Sequence, residues 1–384
     1  MKPQGIIEKL WIVTLETEYR VQQVFSWVTN KNALSCVAEF LKLSVRSDSF
    51  GPRLWDPELE AFTSDCVALQ ASGYLMRYSR SSPVGMEYAA LAGALLSSVL
   101  ARSNCQDWFG IPYNAQSGKS AEVDLAEFGA SSFGLREFFG SPVHAVAKSI
   151  SDKVVDVVIS RVHSQNPGAF QKTQSVSPNM DVLNADLYAA LALSTGQMFG
   201  SKYDLAGQLS YTIQHLRNRF GAAAADRWSY SENVVDGSVV LGYSAAYQAT
   251  IIGWGWILTE NLPTGLKQDW GNTLHDAYFA LGKDLAEGPN DQTESARWAR
   301  NWNNVWETRL ALCNEGGIDT GETGLERING VRILSVSDAQ KAFQISEEPT
   351  VGRSVVTSTL RKMANFGSVI SALDHIRINP NRFH

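Results

Sequence analysis

Residues 181–220 read DVLNADLYAALALSTGQMF, then GSK, then YDLAGQLSYTIQHLRNRF. Two helical stretches, Asp181–Phe199 and Tyr203–Phe220, flank a break at Gly200-Ser201-Lys202. So short a connection joins antiparallel neighbours, and the pair predicts an αα-hairpin. The same rhythm runs outward in both directions. Pro57–Tyr78 is predicted as a helix, with Asp56 as N-cap candidate and Pro57 at its first position. Val84–Leu100 follows, then Val123–Phe139 and Val143–Val162, separated by the stop-and-restart signal Gly140-Ser141-Pro142. Val239–Thr259, Gly271–Leu285 and Thr293–Leu312 complete the series. Longer aromatic loops, Asp107–Ala121 and Ala222–Ser238, alternate with the short breaks. Hairpins arranged around an axis produce this alternation and gather their long loops at one rim. The fold class expected is all-α, an (α/α)n toroid or barrel of helical hairpins.

The ends differ from the middle. Lys9–Val24 is rich in β-branched residues and reads as a strand or an irregular helix, Asn329–Ser335 as a short strand, and Ser354–Asp374 as a helix. With no Pro/Ser-rich linker, the organisation expected is an N-terminal extension over 1–55, a toroid over 56–325 and a C-terminal extension over 326–384.

Composition fits a large interior. The chain has 384 residues, and its 19 % charged content lies below the usual value of about 25 %. It carries 33 Lys+Arg against 39 Asp+Glu without a basic run, which argues against nucleic acid as a partner. The uncharged run Val239–Leu258, VVLGYSAAYQATIIGWGWIL, is long enough to span a bilayer. Its Ser244, Gln248, Thr250 and three glycines instead predict a helix buried on every side. No charged start followed by an apolar stretch opens the chain, which favours a cytoplasmic location. The four cysteines, Cys36, Cys66, Cys105 and Cys313, form no close pair and read as buried free thiols.

The stretch Asp226–Tyr247, DRWSYSENVVDGSVVLGYSAAY, carries the most chemistry. It places Trp228, Tyr230, Glu232 and Asp236 in a loop, and Tyr243 and Tyr247 one turn apart on the helix expected to follow. Aromatic rings beside carboxylates suit a sugar, whose C–H faces pack on rings and whose hydroxyls bond to acids. A carboxyl pair also supplies a general acid and base. Together with Asn184-Ala-Asp186-Leu-Tyr188 and Tyr203–Phe220, this stretch resembles one hairpin-loop-hairpin unit of the (α/α) toroid carbohydrate-active proteins. That group includes glycoside hydrolases, polysaccharide lyases and sugar epimerases. The resemblance covers about residues 180–260 and implies a saccharide in a central cleft lined by Asn184, Trp228, Tyr230 and Tyr243. Several of these proteins have a His just before the Gly-Tyr pair, where this chain has Val240 and Leu241. A His-based epimerase or lyase mechanism is not implied.

A second acidic group, Glu122, Asp124 and Glu127, follows the aromatic loop containing Trp108 and Tyr113. Carboxylates at a helix start are favoured by the macrodipole. Ser117-Gly118-Lys119-Ser120 mimics the end of a phosphate loop but has Tyr113 where the motif needs Gly. Trp298, Trp302 and Trp306 recur every four residues and read as a helix–helix interface. The six histidines are scattered without metal-like spacing, so neither a metal nor another cofactor is expected. His275 lies near a helix start.

The leading reading is therefore a carbohydrate-active enzyme acting by hydrolysis or elimination. Its catalytic candidates are Asp236 and Glu232, then Tyr243, Asp124 and His275. Its substrate-binding candidates are Trp228, Tyr230, Tyr247, Asn184, Trp108 and Tyr113. Two alternatives stand beside it. One is a structural or interaction protein, such as a viral or assembly component, whose aromatic rims bind other subunits, a second copy of the chain included. The other is an enzyme on a terpene-like or lipid substrate.

Overall fold

The computed structural model describes residues 34–57, 60–105, 124–174, 176–222, 224–243 and 245–286, with short stretches at 327–328, 331–332, 359–361, 363–365 and 367–369. Four helical pairs dominate: α1 (Asp65–Ser79) with α2 (Gly85–Cys105), α3 (Leu125–Leu135) with α4 (His144–Ser160), α5 (Leu183–Met198) with α6 (Leu205–Arg219), and α7 (Ala245–Leu258) with α8 (Thr264–Ala286). Burial sorts them by parity. Nearly every described residue of α3 and α5 is buried, whereas α4 and α6 bury only one stripe. A helix surrounded by protein needs apolar or small residues on every face, and a peripheral helix needs one apolar face. The odd-numbered helices are therefore inner and the even-numbered ones outer, and the architecture is an (α/α) toroid.

Neighbouring inner helices approach closely because glycines stand at their contacts. A Cβ on Gly73 of α1 would lie 2.4 Å from the Gly134 Cα of α3. One on Gly129 of α3 would lie 2.5 Å from the Tyr188 Cβ and carbonyl oxygen of α5. Within the ring, Phe133 and Trp254 meet at 5.3 Å and Tyr188 and Trp254 at 6.4 Å between ring centroids. All three are buried, so aromatic rings fill the space between α3, α5 and α7. Helical residues at 34–43 and 359–369 join the same core, and Gly367 sits against the Tyr74 ring.

Connections from each inner helix to its outer partner are short. Among the described residues, the segments entering α1 and α5 are long and carry strands: β1 (Val45–Asp48), β2 (Gly51–Asp56) and β3 (Ala61–Phe62) before α1, and β4 (Val162–His163), β5 (Asn166–Phe170) and β6 (Met180–Val182) before α5. Strands β7 (Ser231–Asn233) and β8 (Val239–Leu241) precede α7, and β6, β7 and β8 form one antiparallel sheet. Every strand named so far thus sits at the rim where the inner helices begin. A further two-stranded ladder pairs Arg327–Ile328 with Val331–Arg332.

Several boundaries differ from the sequence expectation. Asp56 ends β2 rather than capping a helix, because Trp55 pairs with Phe62 across a hairpin, and Ser64 caps α1 by accepting from the Val67 amide. The uncharged run is not one helix: its β-branched start forms β8, and α7 begins at Ala245, leaving Tyr243 before the helix and Tyr247 within it. Helix α8 begins earlier than Gly271, at Thr264. Cys36 and Cys66 are buried free thiols, whereas Cys105 is exposed at the end of α2. No described helix is long and apolar enough to cross a membrane. Lys9–Val24, the Trp298–Trp306 stripe and Cys313 lie outside the described residues.

Gly129→Ala should destabilise the protein by roughly 1–3 kcal/mol through overpacking between α3 and α5. Gly93→Ala on outer helix α2, where a Cβ meets only Val143 at 3.5 Å, should be neutral or stabilising by about 0.5–1 kcal/mol. Denaturant titration of both variants checks the contrast.

Candidate active site at the rim of the toroid

Helix α3 starts at Asp124, whose extended backbone and short acidic side chain make it an N-cap. Its Oδ1 accepts from the Ala126 amide at 2.8 Å, and its Oδ2 lies 3.4 Å from the Lys172 ammonium. Lys172 is anchored through its backbone: its carbonyl accepts from Leu125 N–H at 3.1 Å and from Arg161 Nη1 at 2.9 Å. Its ammonium also donates to the Tyr230 hydroxyl at 3.1 Å. Tyr230 is placed by the rim sheet, since its carbonyl accepts from Leu183 N–H at 3.2 Å. Its ring packs on Tyr247, in the first turn of α7, with centroids 4.3 Å apart. Burial, with Tyr230 beside it, holds the Tyr247 hydroxyl well above its usual range.

One turn beyond Asp124, Glu127 is buried against Arg361 from the 359–369 segment, with Oε1 at 3.3 Å from Nη2. Its other oxygen, Oε2, is buried with no hydrogen-bond partner among the described residues. Desolvation outweighs the nearby guanidinium and pushes the Glu127 carboxyl up to about 8, with Asp124 adding to the rise. The Cys66 thiol at the start of α1 is pushed well up, mainly by burial and then by Glu127. Three inner helices, the rim sheet and the C-terminal segment therefore converge on a carboxyl that keeps its proton near neutrality, a second carboxylate paired with Lys172, and two packed tyrosines.

The residues singled out from sequence fall in several places. Asp124, Tyr230 and Tyr247 come together in this cluster. Asn184 lies at the same rim, in the first turn of α5, with its Oδ1 buried and without a hydrogen-bond partner among the described residues. Trp228 is fully buried between α6, α7 and α8: its indole N–H donates to the Leu216 carbonyl at 2.7 Å, and Gln248 clasps both its backbone groups. Glu232 is buried in β7, bonded to Arg219 and Ser229. Asp236 is exposed at the β7–β8 turn, accepting from Ser238 N–H at 2.9 Å. Tyr243 lies under the Arg227 guanidinium at 5.2 Å. His275 is largely exposed on outer helix α8, beside Asp276 and Phe279. The structure thus gives Glu232, Asp236 and His275 surroundings other than the Asp124 cluster, whereas Tyr243 follows Gly242, whose carbonyl accepts from Tyr230 N–H at 2.9 Å. Trp108 and Tyr113 lie outside the described residues.

Lys172 and Arg361 are the contributors that sequence reasoning missed. Neither lies near a motif, and only folding brings Arg361 to Glu127. Glu127 itself was legible as part of an acidic helix start, three residues after an N-cap.

A second polar cluster lies between α5, α6 and the strands. Asp181, Asp186 and His215 bring one ligand-type atom each within 4.8 Å of one another. His215 Nε2 is 2.7 Å from Asp181 Oδ2 and 3.7 Å from Asp186 Oδ2. Its other nitrogen, Nδ1, faces the Asn166 amide nitrogen at 3.1 Å, while Asn166 Oδ1 accepts from Gly168 N–H at 2.9 Å. That arrangement makes Nδ1 an acceptor and leaves the proton on Nε2. The imidazole therefore presents a hydrogen to the carboxyls, not the lone pair a cation would need.

Comparison with known proteins agrees with this architecture. Neither a protein-family model nor a curated protein matches the sequence. Among solved structures, a cellobiose 2-epimerase from Bacillus thermoamylovorans is 11 % identical, with a TM-score of 0.61 over 92 % of this chain and 100 % of its own. An unsaturated glucuronyl hydrolase from a Bacillus species is 14 % identical, with a TM-score of 0.52 over 92 % of this chain and 96 % of its own. An α-mannanase from Bacteroides thetaiotaomicron is 10 % identical, with a TM-score of 0.52 over 92 % and 97 %. At such identities the likeness establishes the toroid fold.

The two aromatic-loop residues with opposite environments give a direct check. Trp228→Ala should cost roughly 3–5 kcal/mol of stability, whereas Asp236→Ala at the exposed turn should stay within about 0.5 kcal/mol of the parent. Thermal and denaturant unfolding of both variants measure this.

Proposed function

We propose that the chain is a carbohydrate-active enzyme that cleaves a glycosidic bond at the rim of its toroid. The observation that carries the reading is the pair of carboxyls at the start of α3, one desolvated beside a single guanidinium and the other paired with an ammonium. Glu127, desolvated and protonated near neutrality, is the general acid for the leaving-group oxygen. Asp124, held by Lys172 and the Ala126 amide, is the carboxylate that activates water or stabilises developing positive charge. Tyr230 and Tyr247 supply ring faces for the sugar, and Asn184 Oδ1 is an acceptor for a hydroxyl. The names of the structural neighbours, a hydrolase, an epimerase and a mannanase, support a saccharide as the substrate class.

One observation favours the non-enzymatic alternative. Val235, Val239 and Val240 are each exposed around the β7–β8 turn, apolar side chains available to a protein contact.

A glycan array probed with the wild-type protein and its Tyr230→Ala variant, followed by reducing-sugar release from any glycan bound, tests the reading. Binding should occur and weaken in the variant, and Glu127→Gln should lower turnover by about 100-fold or more. As Glu127 acts in its protonated form, kcat/KM should fall as pH rises through about 8. Absence of glycan binding and of sugar release by the folded wild type would sink the proposal.

A further inference from the structure

The Asp181–Asp186–His215 cluster plays no part in the proposed chemistry, yet it joins the rim sheet to two helices. Asp186, in the first turn of α5, is fully buried, and its Oδ1 accepts from the Phe170 amide of β5 at 2.7 Å. Asp181 in β6 is buried and accepts from His215 of α6 at 2.7 Å. Each aspartate has one further oxygen, Asp181 Oδ1 and Asp186 Oδ2, that is buried with no donor among the described residues. Two facing carboxylates cannot both leave a buried oxygen unpaired without large cost, but one shared proton satisfies both.

Charge counting leads to the same point. Glu232 of β7 sits opposite Asp181 in the sheet register, which makes three buried carboxyl groups. The groups facing them are Arg219 and His215 of α6 and His163 of β4. Arg219 is bonded to Glu232 and balances it. Burial lowers His163, favouring its neutral form. No dedicated cation is left for the two aspartates, to which His215 Nε2–H supplies one donated hydrogen.

We infer that a proton held between Asp186 and Asp181 locks the rim sheet onto α5 and α6, making the rim an alkali-sensitive element of the fold. The donor is the Asp186 carboxyl and the acceptor is Asp181, while His215 Nε2–H donates to the second Asp181 oxygen. Burial, and then Asp181, hold the Asp186 carboxyl well above the ordinary carboxylate range. The folded state therefore binds a proton that the unfolded chain releases near pH 4, and the stability it confers falls as pH rises from there through the folded value. Because β6 leads into α5 and Leu183 N–H holds the Tyr230 carbonyl, loss of the proton loosens the segment that places Tyr230. The inference is independent of the carbohydrate reading.

Asp186→Asn is the isosteric test. Its amide oxygen accepts from Phe170 N–H, and its amide nitrogen donates permanently to Asp181 as the proton would. The thermal midpoint of this variant should match the wild type near pH 5 and exceed it by about 2–4 °C at pH 9. In parallel, long-range nitrogen NMR of wild-type His215 should show the Nε2–H tautomer of the neutral ring rather than the Nδ1–H form. An Asp186→Asn variant that fails to fold, or lies below the wild type at every pH, overturns the inference. So does a wild-type midpoint raised by zinc or manganese and lowered by a chelator, which would put a cation where the proton is placed.

Discussion

The inner helices stand side by side only because no Cβ occupies the places where their backbones meet. Gly73 against Gly134, and Gly129 against Tyr188, leave α1, α3 and α5 in contact closer than any other residue permits. That spacing fixes where each helix begins, and hence where Asp124 and Glu127 sit relative to α1, α5 and α7. Side chains from these helices then fill the space between them, with Phe133, Tyr188 and Trp254 as the bulkiest members.

The rim follows from connectivity. Outer-to-inner connections must climb over the start of the next inner helix, and those leading into α5 and α7 do so with short antiparallel strands. Those strands carry groups that the helices cannot supply: the Lys172 ammonium just beyond β5 and the Tyr230 hydroxyl just before β7. Two carboxyls three residues apart on one helix consequently meet opposite environments. Asp124 faces the Lys172 ammonium and the Ala126 amide, while Glu127 faces a dry interior with one guanidinium. The same logic operates at Asp186, where desolvation without a dedicated cation keeps a proton in the fold.

Much of this was legible in sequence, and the failures have physical causes. The breaks at Gly140-Ser141-Pro142 and Gly200-Ser201-Lys202 mark real turns, with Gly140 and Gly200 both at positive φ. Asp124 was readable as a helix start, and Tyr230 and Tyr247 as separate aromatic candidates, one in the loop and one on the helix, whose contact only the fold supplies. Glu232 and Asp236 attracted attention because carboxylates beside Trp228 look like a sugar site. In the structure Asp236-Gly237 is turn chemistry, with Gly237 at φ 69°, and Glu232 neutralises Arg219. The strand start at Val239 was hidden because an uncharged run satisfies a buried helix and a strand equally well. Arg361 is invisible in principle: its partner lies 234 positions away, and nothing local marks it.

The central claim is that the fold keeps Glu127 protonated near neutrality while Asp124 beside it is paired. A carbon-13 NMR titration of glutamate side-chain carboxyls, with Glu127→Gln supplying the assignment, measures this without a substrate. The account predicts one glutamate resonance with a midpoint near pH 8 that is missing from the variant. A Glu127 resonance titrating in the ordinary range, near pH 4–5, would contradict it.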